Sequence, residues 1–175
     1  DKPRGRSKSL VFSPVKEEAV AHGITVLQPE RARDEAFVEE LRTYNADVIV
    51  VVAFGQLLPA SIINMPGYGC INVHASLLPK YRGASPIQWA VIDGCEYSGV
   101  TTMKMDEGLD TGDILMVEKV KLDAKETGGS LFDRLSDVGA HLLVKTLEGL
   151  ETGSIIPEKQ NEAESSYVKM LKKSM

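Results

Sequence analysis

Short apolar runs typical of strands alternate along this chain with amphipathic stretches typical of helices. The run DVIVVVAF at 47–54 is an unbroken β-branched stretch, which predicts a central parallel strand covered on both faces. In segment 34–44, Phe37, Val38 and Leu41 fall on one stripe, as in an amphipathic helix. We expect further helices at 14–21, 60–65, 86–93 and 127–150, and further strands at 24–27, around Asn72 and His74, at 99–105 and at 114–120.

Local signals mark the ends of the first predicted helix. Ser13 suits the N-cap, and Pro14 suits the first helical position, where its missing N–H costs nothing. His22 and Gly23 suit a helix end followed by a left-handed turn. We therefore interpret His22 as a helix-end residue, and His141, inside the long predicted helix, as a surface or packing residue.

Strands that alternate with helices indicate an α/β fold with a mainly parallel, twisted sheet and helices on both faces. With 175 residues, the chain is long enough for one domain with a sizeable core. Ligands of such sheets bind beyond the carboxyl ends of the strands. Segments 55–59 and 74–79 are both predicted to lie there.

Composition narrows the function classes. A net charge of −5 argues against a protein that binds nucleic acid non-specifically along its length. The chain also has no apolar run of the ~20 residues that span a membrane. Cys70 and Cys95 lack metal-ligand spacing, so we expect reduced thiols, no metal site and a cytoplasmic protein. One basic segment, 1–10, carries Lys2, Arg4, Arg6 and Lys8. It is either a solvated loop or an arm that binds nucleic-acid phosphates.

Asn72 and His74 are the first candidates for chemistry. Side chains two apart on a strand point to the same face. Transfer of an acyl group to an amine needs a donor for the developing oxyanion, which an Asn amide supplies, and a group that moves protons, which a His supplies. The pair alone is a weak signal, because most Asn-x-His patterns on strands are structural.

A carboxylate beside the histidine would complete this site. The acidic loop 106–113 offers three, and we choose Asp110, with Asp106 and Asp113 as rivals. The loop lacks the EF-hand calcium pattern. The chain has neither a GxSxG elbow for a serine hydrolase nor a GxGxxG turn for a dinucleotide.

Three motifs carry a resemblance to a known family. NVHASLLP at 72–79, the YRGASPIQWA that follows, and GLDTGDIL at 108–115 resemble the folate-dependent formyltransferases. The likeness covers about residues 1–150 and includes DKPRGR, SPVK and VVVAFGQLLP.

The resemblance implies a formyl transfer from 10-formyltetrahydrofolate to the α-amine of methionyl-initiator tRNA, for translation initiation. It implies that Asn72 and His74 stabilise the oxyanion while Asp110 keeps His74 charged and relays the proton. The tetrahydrofolate-binding turn falls on Ser76, Leu77, Leu78 and Pro79. The basic loop with Lys2, Arg4, Arg6 and Lys8 falls where the family inserts a segment into the tRNA acceptor stem.

The resemblance also divides the chain. Residues 1–150 correspond to a formyltransferase catalytic domain without its first strand–helix–strand unit, and 151–175 to a linker toward a β-barrel domain. We expect a monomer, and weak or no activity from this stretch by itself.

Other interpretations of the function stay open. They are another amine acceptor such as glycinamide ribonucleotide or an amino sugar, a formyltetrahydrofolate hydrolase, or a non-catalytic module that binds RNA or folate.

Overall fold

The computed structural model describes residues 2–3 and 10–172, and a four-stranded sheet forms its centre. The strands are β1 (Lys2–Pro3), β2 (Leu10–Val11), β3 (Ile49–Val51), β4 (Cys70–His74), β5 (Arg82–Gly83), β6 (Tyr97–Lys104), β7 (Asp113–Lys121) and β8 (Tyr167–Val168). The α-helices are α1 (Pro14–Ala21), α2 (Glu35–Thr43), α3 (Ala60–Ile63), α4 (Pro86–Ile92) and α5 (Gly128–Glu151).

The central sheet has the strand order β3-β4-β6-β7. β3 and β4 are parallel, whereas β4–β6 and β6–β7 are antiparallel, so the described part of the sheet is mixed. Within the described residues β3 is an edge strand of three residues, and Val50 at its middle is 37% exposed. The run 47–54 was expected to be central and covered on both faces. That expectation is wrong for the described chain, because only β4 pairs with β3.

Helices cover the sheet on both faces, which confirms the predicted α/β class. One core cluster joins Val100 of β6 to Leu131, Leu135 and Leu142 of α5. The other joins Cys70 of β4 to residues of α2, α3 and the loop before α2, namely Val38, Ile62 and Ala32. Because side chains alternate along β4, Val73 packs in the first cluster and Cys70 in the second.

Most predicted helices are confirmed within a residue or two. Ser13 caps α1 by accepting a hydrogen bond from the Lys16 backbone, and His22 is its C-cap residue. Thr127 and Ser130 form a capping box at the start of α5, whose His141 is exposed. The predicted strand 24–27 is wrong: this segment has no regular secondary structure and pairs with no described strand.

The segment after α5, which we predicted to be a linker, folds back onto the rest of the chain. β8 pairs in parallel with β5, and Glu158 forms an isolated bridge with Ile114 of β7. The Trp89 indole also donates to the backbone carbonyl of Lys169. Residues 158–169, which we call the strap, therefore lie against β5, β7 and α4. The strap has no regular alternation of apolar and polar residues, so its sequence gives no periodic signal of docking.

In the described part of the chain, no helix combines the length and the apolar character needed to cross a membrane.

Candidate active site

β4 carries Asn72 and His74 to the carboxyl end of the parallel pair β3–β4. Both side chains lie on the same face of the strand, as the alternation predicts. β6 pairs with β4 on its other side and places Thr101 opposite His74. His74 is only 7% exposed, so the sheet holds this ring in a nearly buried position.

Each nitrogen of the His74 ring faces an acceptor. Nε2 lies 3.0 Å from the backbone carbonyl oxygen of Tyr81. Since a carbonyl only accepts, Nε2 must carry the hydrogen of that bond. Nδ1 lies 3.7 Å from Oδ2 of Asp110, within ion-pair range but longer than a hydrogen bond. A ring protonated on both nitrogens can therefore serve both acceptors.

Asp110 reaches His74 from the loop between β6 and β7. Its backbone has φ 55°, in the left-handed region that aspartate tolerates better than most residues. Its Oδ2 also accepts a hydrogen bond of 2.8 Å from the backbone N–H of Gly83. This one oxygen thus joins the loop, β5 and the His74 ring.

The structure separates Asp110 from its two rivals. The Asp106 carboxylate accepts from the Gly108 backbone and the Thr111 hydroxyl, so it shapes the loop itself. Asp113 begins β7 opposite Lys104. Of the described carboxylates, Asp110 is the one within ion-pair distance of His74.

The Asn72 side chain makes no hydrogen bond with any described residue, and it is half-buried rather than enclosed. An amide held by a central strand without a protein partner can offer both its N–H donors to a bound molecule. Asn72 therefore has the free donor that an oxyanion requires, next to His74 on one face.

The turn Ser76 to Pro79 follows β4 directly. Thr101 on β6 fixes it, since its hydroxyl donates to the Ser76 carbonyl at 2.7 Å and accepts from the Leu78 N–H at 3.1 Å. The Ser76 hydroxyl donates to the Lys80 carbonyl, and the Ser76 and Leu78 side chains are buried. Leu77 and Pro79 are half-buried. A ligand beside this turn would meet its backbone, Leu77 and Pro79 rather than the Ser76 hydroxyl.

Behind the site lies a buried cation that the sequence analysis missed. Arg82 is 0% exposed, and its guanidinium donates to Gln160, Glu162 and the Tyr167 hydroxyl. The hydrogen bonds to Glu162 raise the pKa of Arg82, and the same contact lowers the pKa of Glu162. The three partners lie far along the chain in the strap, so sequence spacing gave no signal of this cluster.

A second missed residue is Tyr81, which supplies the carbonyl for His74. It has φ 59°, and its phenol contacts Asp93 at 2.9 Å and the Cys95 sulfur at 3.0 Å. Burial, followed by those two contacts, raises the pKa of the Tyr81 hydroxyl. The phenol is therefore a structural donor that holds the turn before α4.

The predicted tRNA-binding set lies mostly outside the described residues, namely Arg4, Arg6 and Lys8. Lys2 belongs to β1, which pairs antiparallel with β2 through Lys2–Val11 and Pro3–Leu10. No group of three or more His, Cys, Asp or Glu side chains in the described ranges is placed to bind a metal ion.

Sequence comparison relates this arrangement to known proteins. The sequence profile described as formyl transferase matches residues 1–147. The chain is 94% identical over 174 residues to the methionyl-tRNA formyltransferase of Lachnospira eligens, covering 99% of this chain and 55% of that protein. It is 57% identical to the enzyme of the same name from Agathobacter rectalis, covering 100% of this chain and 56% of that protein. The chain thus spans about half the length of the curated relatives it matches.

Solved structures share the fold. The phosphoribosylglycinamide formyltransferase of Bacillus halodurans superposes with a TM-score of 0.74 at 25% identity, covering 83% of this chain and 78% of that one. A formyltransferase from Anoxybacillus kamchatkensis, solved with a formamido sugar nucleotide and tetrahydrofolate, gives a TM-score of 0.72 at 23% identity. It covers 91% of this chain and 82% of that chain.

Proposed function

Because the chain belongs to the formyl transferase family, we propose that this protein transfers a formyl group from 10-formyltetrahydrofolate to the α-amine of methionyl-initiator tRNA, for translation initiation. The observation that carries the choice of acceptor is the 94% identity to a methionyl-tRNA formyltransferase over nearly the whole chain. The pairing of His74 with Asp110 beside a free Asn72 amide supports the chemistry.

10-Formyltetrahydrofolate supplies the formyl group, and the residues of this chain supply its activation. The Asn72 amide donates to the formyl oxygen, which gains negative charge as the amine attacks. Removing one such donor typically costs ~3 kcal/mol of barrier. The donor needs no reorganisation, because no described residue competes for the Asn72 amide.

His74 acts beside Asn72 on the same oxygen. Its Nε2–H is committed to the Tyr81 carbonyl. Its Nδ1 is not committed in the same way, because 3.7 Å from Asp110 is too long for a hydrogen bond. An Nδ1–H can therefore be shared with the substrate oxygen, while Asp110 balances the positive charge of the ring. We assign Asp110 a second role in the proton relay. It accepts the proton of the attacking amine through a water, and that proton passes to the leaving folate nitrogen as its bond to the formyl carbon breaks.

The turn Ser76 to Pro79 is our candidate tetrahydrofolate site. It adjoins His74, and Thr101 holds its backbone from the neighbouring strand. The segment with Lys2, Arg4, Arg6 and Lys8 is our candidate contact for the tRNA acceptor stem, since four cations within ten residues suit phosphate binding.

The deciding experiment offers charged initiator methionyl-tRNA and glycinamide ribonucleotide separately. The assay uses this sequence within a chain of its relatives' full length, because it spans 55% of that length. We expect transfer to the tRNA alone. Transfer only to the small amine would retain the chemistry and overturn the acceptor. Release of formate without an acceptor would identify a hydrolase, and folate binding without transfer would identify a binding module.

Site variants then test the roles. We expect His74→Ala and Asp110→Asn to lower kcat by roughly 100-fold or more, as general acid–base groups do. The Asn at 110 still accepts from the Gly83 N–H, so the loop keeps its anchor. Asp106→Asn is the matched control, since Asp106 lies in the same loop without contacting His74. Near-normal turnover by either site variant would remove that residue from the mechanism.

The basic segment needs a separate test. Replacing Arg4 and Arg6 together by alanine should raise KM for the tRNA while KM for the folate stays constant. The dependence of tRNA KM on salt concentration should also become shallower, because fewer phosphate contacts release fewer counterions. An unchanged salt dependence would show that this segment is a solvated loop.

A further inference from the structure

The Gln160 side chain joins the strap to the loop that carries Asp110. Its Nε2 donates to the backbone carbonyl of Asp110 at 2.8 Å and to that of Gly112 at 2.7 Å. Its Oε1 accepts from Nε of Arg82 at 3.0 Å and from Nη2 at 2.8 Å. The amide thus uses both donors and both acceptor positions.

The chemistry of the neighbours determines the orientation of this amide. A guanidinium only donates and a backbone carbonyl only accepts, so the oxygen must face Arg82 and the nitrogen must face the loop. Arg82 in turn cannot shift, because it is fully buried and is also bound by Glu162 and Tyr167. Gln160 therefore fixes the backbone of Asp110 relative to an immobile cation.

The strap also fixes the other acceptor of the His74 ring. Ser166 accepts the Tyr81 N–H through its hydroxyl at 2.9 Å and the Arg82 N–H through its carbonyl at 2.8 Å. Tyr81 has φ 59°, a conformation that is unfavourable for a bulky residue and that these contacts stabilise. Both groups that face the His74 nitrogens are thus held from one segment.

We propose that Gln160 is a positioning residue for formyl transfer, which holds the Asp110 carboxylate at His74 by anchoring the backbone of its loop to Arg82. This inference rests on the proposed function of the site. Neither a carboxylate nor an apolar side chain can do both tasks: a carboxylate lacks the donors for the loop, and an apolar side chain lacks both sets of contacts. The strap is then part of the catalytic unit and more than a connection.

Gln160→Glu keeps the acceptor function of the side chain and removes its donor function. The carboxylate still accepts from Arg82 but turns an oxygen toward the carbonyls of Asp110 and Gly112, which repel it. We expect kcat to fall on the order of 10- to 100-fold, as a displaced catalytic group costs. KM for tRNA and for folate should stay within about twofold, since Gln160 contacts neither candidate binding segment. Asn161→Ala is the control, because the Asn161 amide bonds only within its own turn.

A double-mutant cycle distinguishes positioning from general stability. If Gln160 acts through Asp110, Gln160→Glu should cost little further activity in an Asp110→Asn background. Equal losses of kcat in both backgrounds, a rise in KM with unchanged kcat, or no loss at all would each overturn the inference. Gln160→Met removes the donors without adding charge, and it replaces Gln160→Glu if that variant does not fold.

Hydrogen exchange gives a readout that does not depend on formyl transfer. Gln160→Glu should accelerate amide exchange in residues 106–112 and at Gly83, whereas α5 should stay protected. Unchanged exchange there would also overturn the inference. Faster exchange in a protein whose unsubstituted form transfers no formyl group would instead leave the Gln160 anchor in place and refute the proposed function.

Discussion

The Oδ2 atom of Asp110 lies 3.7 Å from Nδ1 of His74 and, at the same time, 2.8 Å from the backbone nitrogen of Gly83. One carboxylate oxygen thus connects the proposed catalytic ring to β5, the two-residue strand that pairs with the strap. The proposed chemistry and the packing of the strap therefore both depend on this carboxylate oxygen. Substitutions in the proposed catalytic residues and substitutions near the strap should have distinguishable effects.

Asn72 should tolerate substitution without loss of stability. Its side chain has no hydrogen-bond partner among the described residues, so Asn72→Ala leaves no group unpaired. We expect kcat to fall about 100- to 1,000-fold, as for the loss of one oxyanion donor, with the melting temperature nearly unchanged. Formyl-transfer kinetics test the expected fall in kcat, and thermal unfolding tests the expected melting temperature. A variant with normal kcat would show that the amide does not face the formyl oxygen.

Gly83 should be the more sensitive of two glycines that both have a positive φ. It has φ 97°, and an added Cβ would lie 2.5 Å from the Val168 carbonyl oxygen on β8. Gly83→Ala should therefore push the strap away, move the N–H off Asp110, and reduce both stability and kcat. The measurements are urea unfolding and formyl transfer.

Gly94 provides the matched control for that variant. It has φ 64°, and apart from its two chain neighbours no atom of the described residues would lie within 4 Å of a Cβ added there. Gly94→Ala should cost only the backbone penalty, about 1 kcal/mol in unfolding free energy, and should leave kcat unchanged. Equal losses from the two substitutions would show that contact with β8 is unimportant at Gly83.

Acid should weaken the strap through Glu162. The hydrogen bonds from Arg82 lower the pKa of this carboxyl, so the folded state favours its ionised form. The resulting stability is fully present above the usual glutamate pKa of about 4.3 and is lost as the pH falls through the lower folded-state value. Urea midpoints between pH 3 and 6 should therefore differ most at pH 6 between the unsubstituted protein and Glu162→Gln, and converge toward pH 3.

Glu164→Gln is the control for this pH dependence. Glu164 lies on the same short 3-10 turn but has no cationic partner among the described residues. The urea midpoints of Glu164→Gln should change with pH in the same way as those of the unsubstituted protein. If the midpoints of Glu162→Gln also changed in that way, a stabilising ion pair with Arg82 would be contradicted.

The two cysteines should react at very different rates. Cys70 is 0% exposed, and burial raises the pKa of its thiol to about 11, so only about a thousandth is thiolate at pH 8. Cys95 is half-buried. Iodoacetamide at pH 8 should label Cys95 in the native protein and Cys70 only in denaturant, as read by peptide mass spectrometry. Native labelling of Cys70 in a Cys95→Ser variant would contradict this assignment.

Local rules predicted much of the fold. The cap at Ser13 and the apolar stripe of α5 are properties of neighbouring residues, and both predictions are confirmed. The prediction for run 47–54 was wrong because β-branched residues indicate only that a segment favours a buried, pleated surface. They do not determine which strands pair with β3, and that pairing depends on the strands that lie beside it. Segment 24–27 failed for the same reason: a strand exists only with a partner.

For the site, the sequence by itself determined that Asn72 and His74 share a face, because strand alternation is local. It also supplied three candidate carboxylates in one loop. Only the tertiary structure decided that Asp110 meets His74, since a left-handed backbone at Asp110 and an N–H from β5 direct that carboxylate. The docking of Gln160 on Arg82 likewise depends on contacts between distant segments, which no periodicity encodes.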